Sequence, residues 1–160
     1  MGSGKTTVAN LLSAKLNDFN LVDLDFEIEK TYGKSIGQIF EDVGESGFRN
    51  FEQKIVEKYS MQNNLIISTG GGVVQKIENL NNLKKGGIVF YLYAEVETLF
   101  ERTKTSTIRP LLQTEQPKEK LKEIYNMRKS FYKMAHYEIQ TENKELLEIV
   151  EEIIKKYEQN

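Results

Sequence analysis

At 160 residues, 39% of them hydrophobic and 29% charged, the chain has the makings of one soluble globular domain with a hydrophobic core. A net charge of −2 with both signs interspersed points away from nucleic acid and anionic membranes, and the absence of cysteine excludes disulfides, thiolate catalysis and Cys-based zinc sites. The single histidine, His136, excludes a multi-histidine metal site and reads as a surface residue at a helix end.

The opening residues, Met1-Gly2-Ser3-Gly4-Lys5-Thr6-Thr7, read as the second half of a phosphate-binding P-loop, G-x-x-x-x-G-K-[ST]. Small residues let the backbone amides of Gly2, Ser3 and Gly4 turn around a phosphate. The Lys5 ammonium can bridge the outer phosphates and the Thr6 hydroxyl can hold Mg²⁺, with Thr7 beside it at the helix start. Val8, Leu11, Leu12 and Leu16 recur at helical spacing, so the motif opens a helix over 5–16 rather than a flexible tail. The pattern's first glycine falls two residues before Met1, and a buried strand is expected before that. The native reading frame is therefore expected to start about ten residues upstream, or the given chain to be a trimmed one, and the chain as given is expected to be unstable or weakly active.

A strand over 20–24 follows and carries Asp23-Leu24-Asp25 at its end. By the period of two, both carboxylates can share one side, one to anchor Mg²⁺ and one to orient or deprotonate a hydroxyl. Capping of the next helix by Asp25 is the plainer alternative. Helical stretches follow at 26–30, at 36–42 behind Ser35 as N-cap, and at 48–62. The last begins with Phe48 and Arg49, one turn before Glu52, a spacing that by itself reads as a weak surface ion pair. The run Leu65-Ile66-Ile67 predicts a strand buried on both faces that ends in Gly70-Gly71-Gly72. A tight turn explains one glycine there, hardly three; close approach to a ligand explains more.

Further on, a helix over 77–84, a strand over 88–93 and a helix over 96–103 lead into a polar segment, 104–116. It carries Arg109 before Pro110-Leu111-Leu112, as a mobile lid over phosphates would. A helix over 118–135 holds Arg128, followed by a strand at 137–141 and a last helix at 144–157. Only four arginines stand among the 22 basic residues: Arg49, Arg102, Arg109 and Arg128. Such sparing use suits places where a planar fork must grip a carboxylate or phosphate.

Strands alternating with helices predict an α/β fold, a parallel sheet flanked by helices in three layers, with ligands at the carboxyl ends of the strands. The order GSGKT, DLD, GFRNFE, TGGG, IRPLL and MRKSFY resembles the shikimate kinases, P-loop kinases of small molecules, and the resemblance spans essentially the whole chain as a single domain, 1–160. It implies transfer of the ATP γ-phosphoryl group to the 3-hydroxyl of shikimate. The P-loop residues Gly2 to Thr7 would hold ATP, Thr6 and Asp23 would serve Mg²⁺, and Asp25 would bind the shikimate hydroxyls and act as base. Arg49, Arg128 and Gly70, Gly71 and Gly72 would hold shikimate between the helices of about 25–62, with Phe40 and Phe48 as walls. Arg109 would meet the transferring phosphoryl group from the lid, and Arg102 would pack against adenine. In that family a central strand and a glycine precede the P-loop.

Two other readings stand beside it: another P-loop kinase acting on gluconate or a nucleotide, and a decayed ATP-binding protein without activity. No signal peptide or apolar run near about 18 residues is present, so a cytoplasmic monomer is expected, without nucleic-acid or membrane partners.

Overall fold

The computed structural model describes residues 2–104 and 116–160. The expected lid with Arg109 lies, but for its flanking residues, outside the described residues. Helices and strands alternate as α1 (Lys5–Lys15), β1 (Asn20–Asp23), α2 (Leu24–Tyr32), α3 (Ile36–Ser60), β2 (Leu65–Ser68) and α4 (Ile77–Gly86). They continue as β3 (Phe90–Tyr93), α5 (Val96–Thr103), α6 (Pro117–Tyr132), β4 (Tyr137–Gln140) and α7 (Leu146–Glu158), with a 3₁₀ turn at Val73–Gln75. No helix among the described residues is long and apolar enough to cross a membrane.

Both strand pairings are parallel. β1 lies on β2 with Asn20 opposite Leu65 and Asp23 opposite Ser68, and β3 lies on β4 with Phe90 opposite Tyr137 and Tyr93 opposite Gln140. Among the described residues these make two separate pairs rather than the one continuous sheet expected. Residues of both β2 and β3 line a cavity of about 480 Å³.

Helices cover the strands on both faces. Val8 and Leu12 of α1 pack with Ile149, Val150 and Ile153 of α7 over Leu92 and Ile139. On the other side Leu24 and Ile28 of α2 meet Ile39, Ile55 and Val56 of α3 and the 3₁₀ residues Val73 and Val74. A third cluster joins α5 to α6 through Leu99, Leu121 and Tyr125. Ile28 and Val56 are fully buried, and burial of each such side chain is worth about 1.5–3 kcal/mol.

The helix starts differ in a way that matters for the site. Asp23 caps α2, accepting from the amides of Asp25 and Phe26, and Ser35 with Gln38 forms a capping box on α3. The two helices expected at 36–42 and 48–62 are the two halves of α3, separated by non-helical backbone at Gly44 (φ 67°, ψ −178°). Only glycine takes that conformation without strain, so the chain turns there between the two helical halves. α1, by contrast, starts at Gly4 with no capping side chain and no acidic residue in its first turn.

His136 follows α6 as expected, and it also ties that end to β3. Its backbone N–H donates to the Val89 carbonyl (2.9 Å) and its Nδ1 accepts from the Val89 amide (2.9 Å). An acceptor Nδ1 requires the neutral ring, and partial burial, with Lys84 nearby, lowers the His136 pKa from 6.5. The stabilising contribution is therefore present above pH 6.5 and is lost as pH falls through the lowered folded value. Thermal melts between about pH 7 and pH 5.5 should show a small loss of stability that His136→Ala flattens.

Candidate active site

Three features converge at the carboxyl ends of β1 and β2: the start of α1, the start of α2 and the 70–72 glycine run. Among the described residues no side chain caps α1, and the helix dipole adds positive potential at its start, where an anion is stabilised. Thr6 and Thr7 are exposed on that turn, whereas Ser3 is buried and sits 3.4 Å from Lys5 Nζ. The Lys5 charge reaches across to Asp25, where it lowers the carboxyl pKa.

Asp23 and Asp25 do not share the end of a strand. β1 stops at Asp23, which is the N-cap, and Asp25 stands on the first turn of α2. The alternating period of a strand therefore does not apply across the pair, and the capping residue is Asp23 rather than Asp25. Asp25 opens to solvent at the mouth of the site while protein crowds it from the other sides. That desolvation, with Asp23 beside it, raises its pKa above 3.8, and Lys5 and Arg49 pull it partly back.

Close approach accounts for two of the three glycines. A Cβ on Gly70 would lie 3.0 Å from Asp25 Oδ1, and one on Gly72 would fall on the Arg49 guanidinium. The loop backbone is thus pressed against the two side chains it presents. Gly71 contributes its carbonyl, which accepts from Tyr132 Oη at 2.6 Å and from Arg128 at 3.4 Å.

Arg49 is not on a surface pair. It is 8% exposed and donates to the fully enclosed carboxylate of Glu52 at 2.8 Å and to Glu45 at 3.1 Å. Desolvation raises the Glu52 pKa despite the Arg49 charge, whereas hydrogen bonds from Gln75 and Arg49 lower that of Glu45. The Arg49 Nε is buried with no acceptor among the described residues. Arg128, also buried, acts electrostatically on Glu45, Glu52 and Tyr132, so its charge belongs to the same neighbourhood.

Phe48 is buried in the α2–α3 core beneath the Arg49 guanidinium (5.0 Å to its ring) and stacks on half-buried Phe40 at 4.5 Å. Arg102 donates to the Thr141 hydroxyl (3.1 Å) and carbonyl (3.0 Å), joining α5 to the 141–143 loop. α5 also backs the P-loop, because space beside Gly2 is filled by Leu99 and Thr103.

No cluster of three acidic or histidine side chains suited to a metal occurs among the described residues. One Asp23 oxygen is already engaged in capping. An exposed Thr6 hydroxyl at the start of α1 suits a Mg²⁺ that keeps its waters and takes phosphate oxygens, not a cation held in a protein cage.

Tyr132 was not among the expected site residues. Its hydroxyl, kept protonated by burial, holds the Gly71 carbonyl in place, and its position one turn after Arg128 was the available signal. Tyr132→Phe should cost about 1 kcal/mol in urea melts, since it leaves that carbonyl short of a donor.

The shikimate kinase family profile matches residues 1–158. The shikimate kinase of Thermodesulfovibrio yellowstonii is 44% identical over 158 residues, 99% of this chain and 91% of that protein. That of Acinetobacter baylyi is 39% identical over 156 residues, 97% of this chain and 86% of the relative. Among solved structures, shikimate kinase from Acinetobacter baumannii in complex with shikimate superposes with a TM-score of 0.93 at 38% identity, covering 100% of this chain and 89% of the other. Shikimate kinase from Aquifex aeolicus gives 0.84 at 38% identity, covering 100% and 93%. With a P-loop kinase architecture and a site of this composition, the chain belongs to the shikimate kinase family.

Proposed function

We propose that this chain transfers the γ-phosphoryl group of ATP to the 3-hydroxyl of shikimate, with the residues above in defined roles. The observation that carries the pocket is Arg49: a buried guanidinium whose Nε lacks an acceptor among the described residues, set against Gly72 and near Arg128. A carboxylate meets that need, and two guanidinium groups recognise it better than point charges do.

Lys5 and the amides of Gly2, Ser3 and Gly4 hold the phosphates, with Thr6 and Thr7 at the helix start. Thr6 and, through water, Asp23 would hold Mg²⁺, whose charge offsets that of the phosphates. Asp25 orients the acceptor hydroxyl and takes its proton as the oxygen bonds to the γ-phosphorus and the bond to ADP breaks. Arg49 and Arg128 grip the carboxylate above the Gly70, Gly71 and Gly72 backbone, and Phe40 and Phe48 form the wall. Arg102, anchored on Thr141, flanks the adenine, and Arg109 stabilises the phosphoryl group in transit. On this reading the enzyme works as a cytoplasmic monomer without nucleic-acid or membrane partners.

ADP release with Mg²⁺–ATP and shikimate, gluconate or AMP tests the assignment. Turnover with shikimate alone is expected. Turnover with gluconate or AMP instead would replace the acceptor, and ATP binding without turnover on any of the three would favour the decayed reading.

A further inference from the structure

Arg49 has one edge that its surroundings leave unfinished. Its Nη1 donates to Glu52 at 2.8 Å, and Glu52 is only 2% exposed, so that bond is locked inside the protein. The Gly72 backbone lies over the plane of the guanidinium. A Cβ there would be 2.3 Å from Nη2, 2.5 Å from Nη1 and 2.6 Å from Cζ, near-equal distances that place it above the group rather than beyond its end. What remains is the edge shared by Nε and Nη2, whose N–H bonds point the same way and can take both oxygens of one carboxylate. Nη2 is occupied by Glu45 Oε1 at 3.1 Å, and Nε, though buried, has no acceptor among the described residues.

Glu45 thus satisfies half of a two-pronged fork, and it does so from a place it can leave. Its side chain is 47% exposed, against 10% for that of Arg49. It stands directly after Gly44, where the backbone departs from helical geometry, so it opens the second half of α3 instead of sitting within a continuous turn. The same Oε1 accepts from Gln75 Nε2 at 3.0 Å, a bond from the 3₁₀ turn behind the glycine run that steadies the carboxylate against Arg49. Those bonds, Gln75 first and Arg49 after it, favour the ionised form. An ion pair open to water on one side is weak. A carboxylate that bonds Nε and Nη2 together makes two charge-assisted hydrogen bonds and relieves a buried donor, so it outcompetes Glu45.

We propose that Glu45 is the resident counter-ion of Arg49, a specificity-determining residue that holds Nη2 while the pocket is empty and yields it to a substrate carboxylate able to bond Nε and Nη2 together. An anion that offers a single contact, such as chloride, does not displace it, whereas a two-oxygen carboxylate does. On the reading of Arg49 as the grip for the shikimate carboxylate, on which this rests, the exchange precedes phosphoryl transfer. The cost of expelling Glu45 therefore falls on the shikimate KM and leaves kcat alone.

Steady-state kinetics with Mg²⁺–ATP and shikimate test the exchange in the wild type, Glu45→Gln, Gln75→Ala, the double variant and Glu41→Gln. Glu41 is exposed on the first half of α3, and the ion pairs of Arg49 among the described residues are with Glu45 and Glu52. Glu41→Gln therefore makes the same charge change on the same helix without touching the guanidinium. Glu45→Gln should lower the shikimate KM about three- to fivefold with kcat and the ATP KM unchanged, and Glu41→Gln should leave it in place. Gln75→Ala should lower the shikimate KM by less and add nothing in the Glu45→Gln background. Added chloride should raise the shikimate KM more in Glu45→Gln than in the wild type. A KM that rises or stays put in Glu45→Gln, or falls as far in Glu41→Gln, overturns the proposal while shikimate turnover by the wild type still stands. No turnover of shikimate by the wild type overturns the acceptor assignment itself, and the role of Glu45 with it.

Discussion

Lys5→Ala should lower kcat by about 10²–10³-fold, the expected cost of removing one preorganised cation aimed at charge that develops in the transition state. The local structure supports so large an effect. α1 begins on Gly4 without a capping side chain, so phosphate charge at this point would meet backbone amides, the helix dipole and the Lys5 ammonium. Lys5 also lowers the pKa of Asp25, so the variant carries a second signature. With that cation gone the Asp25 carboxyl rises further, and the acidic limb of the kcat/KM profile moves to higher pH. Steady-state kinetics across pH check both parts. Near-normal rates would refute the phosphate role, and a large loss with an unmoved limb would separate Lys5 from Asp25.

Asp25→Asn should lower kcat by about 10²–10⁴-fold, the range for loss of a positioned general base, and should leave ATP affinity intact. Asparagine keeps the shape and can still orient a hydroxyl, but it cannot accept the proton. Asp25 does not cap α2, because Asp23 does, so the helix start survives the change. The Gly70 backbone remains close by, and a planar amide of the same size fits where the carboxylate stood. Isothermal titration with a non-hydrolysable ATP analogue, set beside turnover, is the check. Equal losses in both would assign Asp25 a structural role. The proton-accepting form is the ionised one, and desolvation raises this group above 3.8, so the acidic limb of the wild-type profile should lie above the range of an exposed aspartate.

Much of the site is legible in the amino-acid order because phosphate chemistry imposes local spacing. The P-loop end Gly4-Lys5-Thr6, the Asp23-Leu24-Asp25 triplet and the 70–72 glycine run are each contiguous, and each lies at the boundary of an element set by apolar periodicity. Ser35 reads as an N-cap for the same reason: the capping box needs only Gln38 three residues on. The arginine scarcity, four among 22 basic residues, singles out Arg49 and Arg128 without any geometry.

Burial and pairing are decided elsewhere in the chain, and there the one-dimensional reading falls short. Arg49 and Glu52 have the spacing of an ordinary surface pair, and only the packing of α3 against α2 and the 3₁₀ turn encloses them. That the two helical halves either side of Gly44 pack against one core is likewise not visible in the sequence. Gly70 and Gly72 announce a close approach, but that they approach Asp25 and Arg49 depends on three separate elements meeting. The bond from Tyr132 to Gly71 spans 61 residues, and β2 and β3 do not pair among the described residues. Local periodicity and motif spacing thus determined the elements, the phosphate loop and the candidate ligands. Only the tertiary structure determined which charges are desolvated, which carbonyl is held and where the sheet divides, since those energies arise between segments distant along the chain.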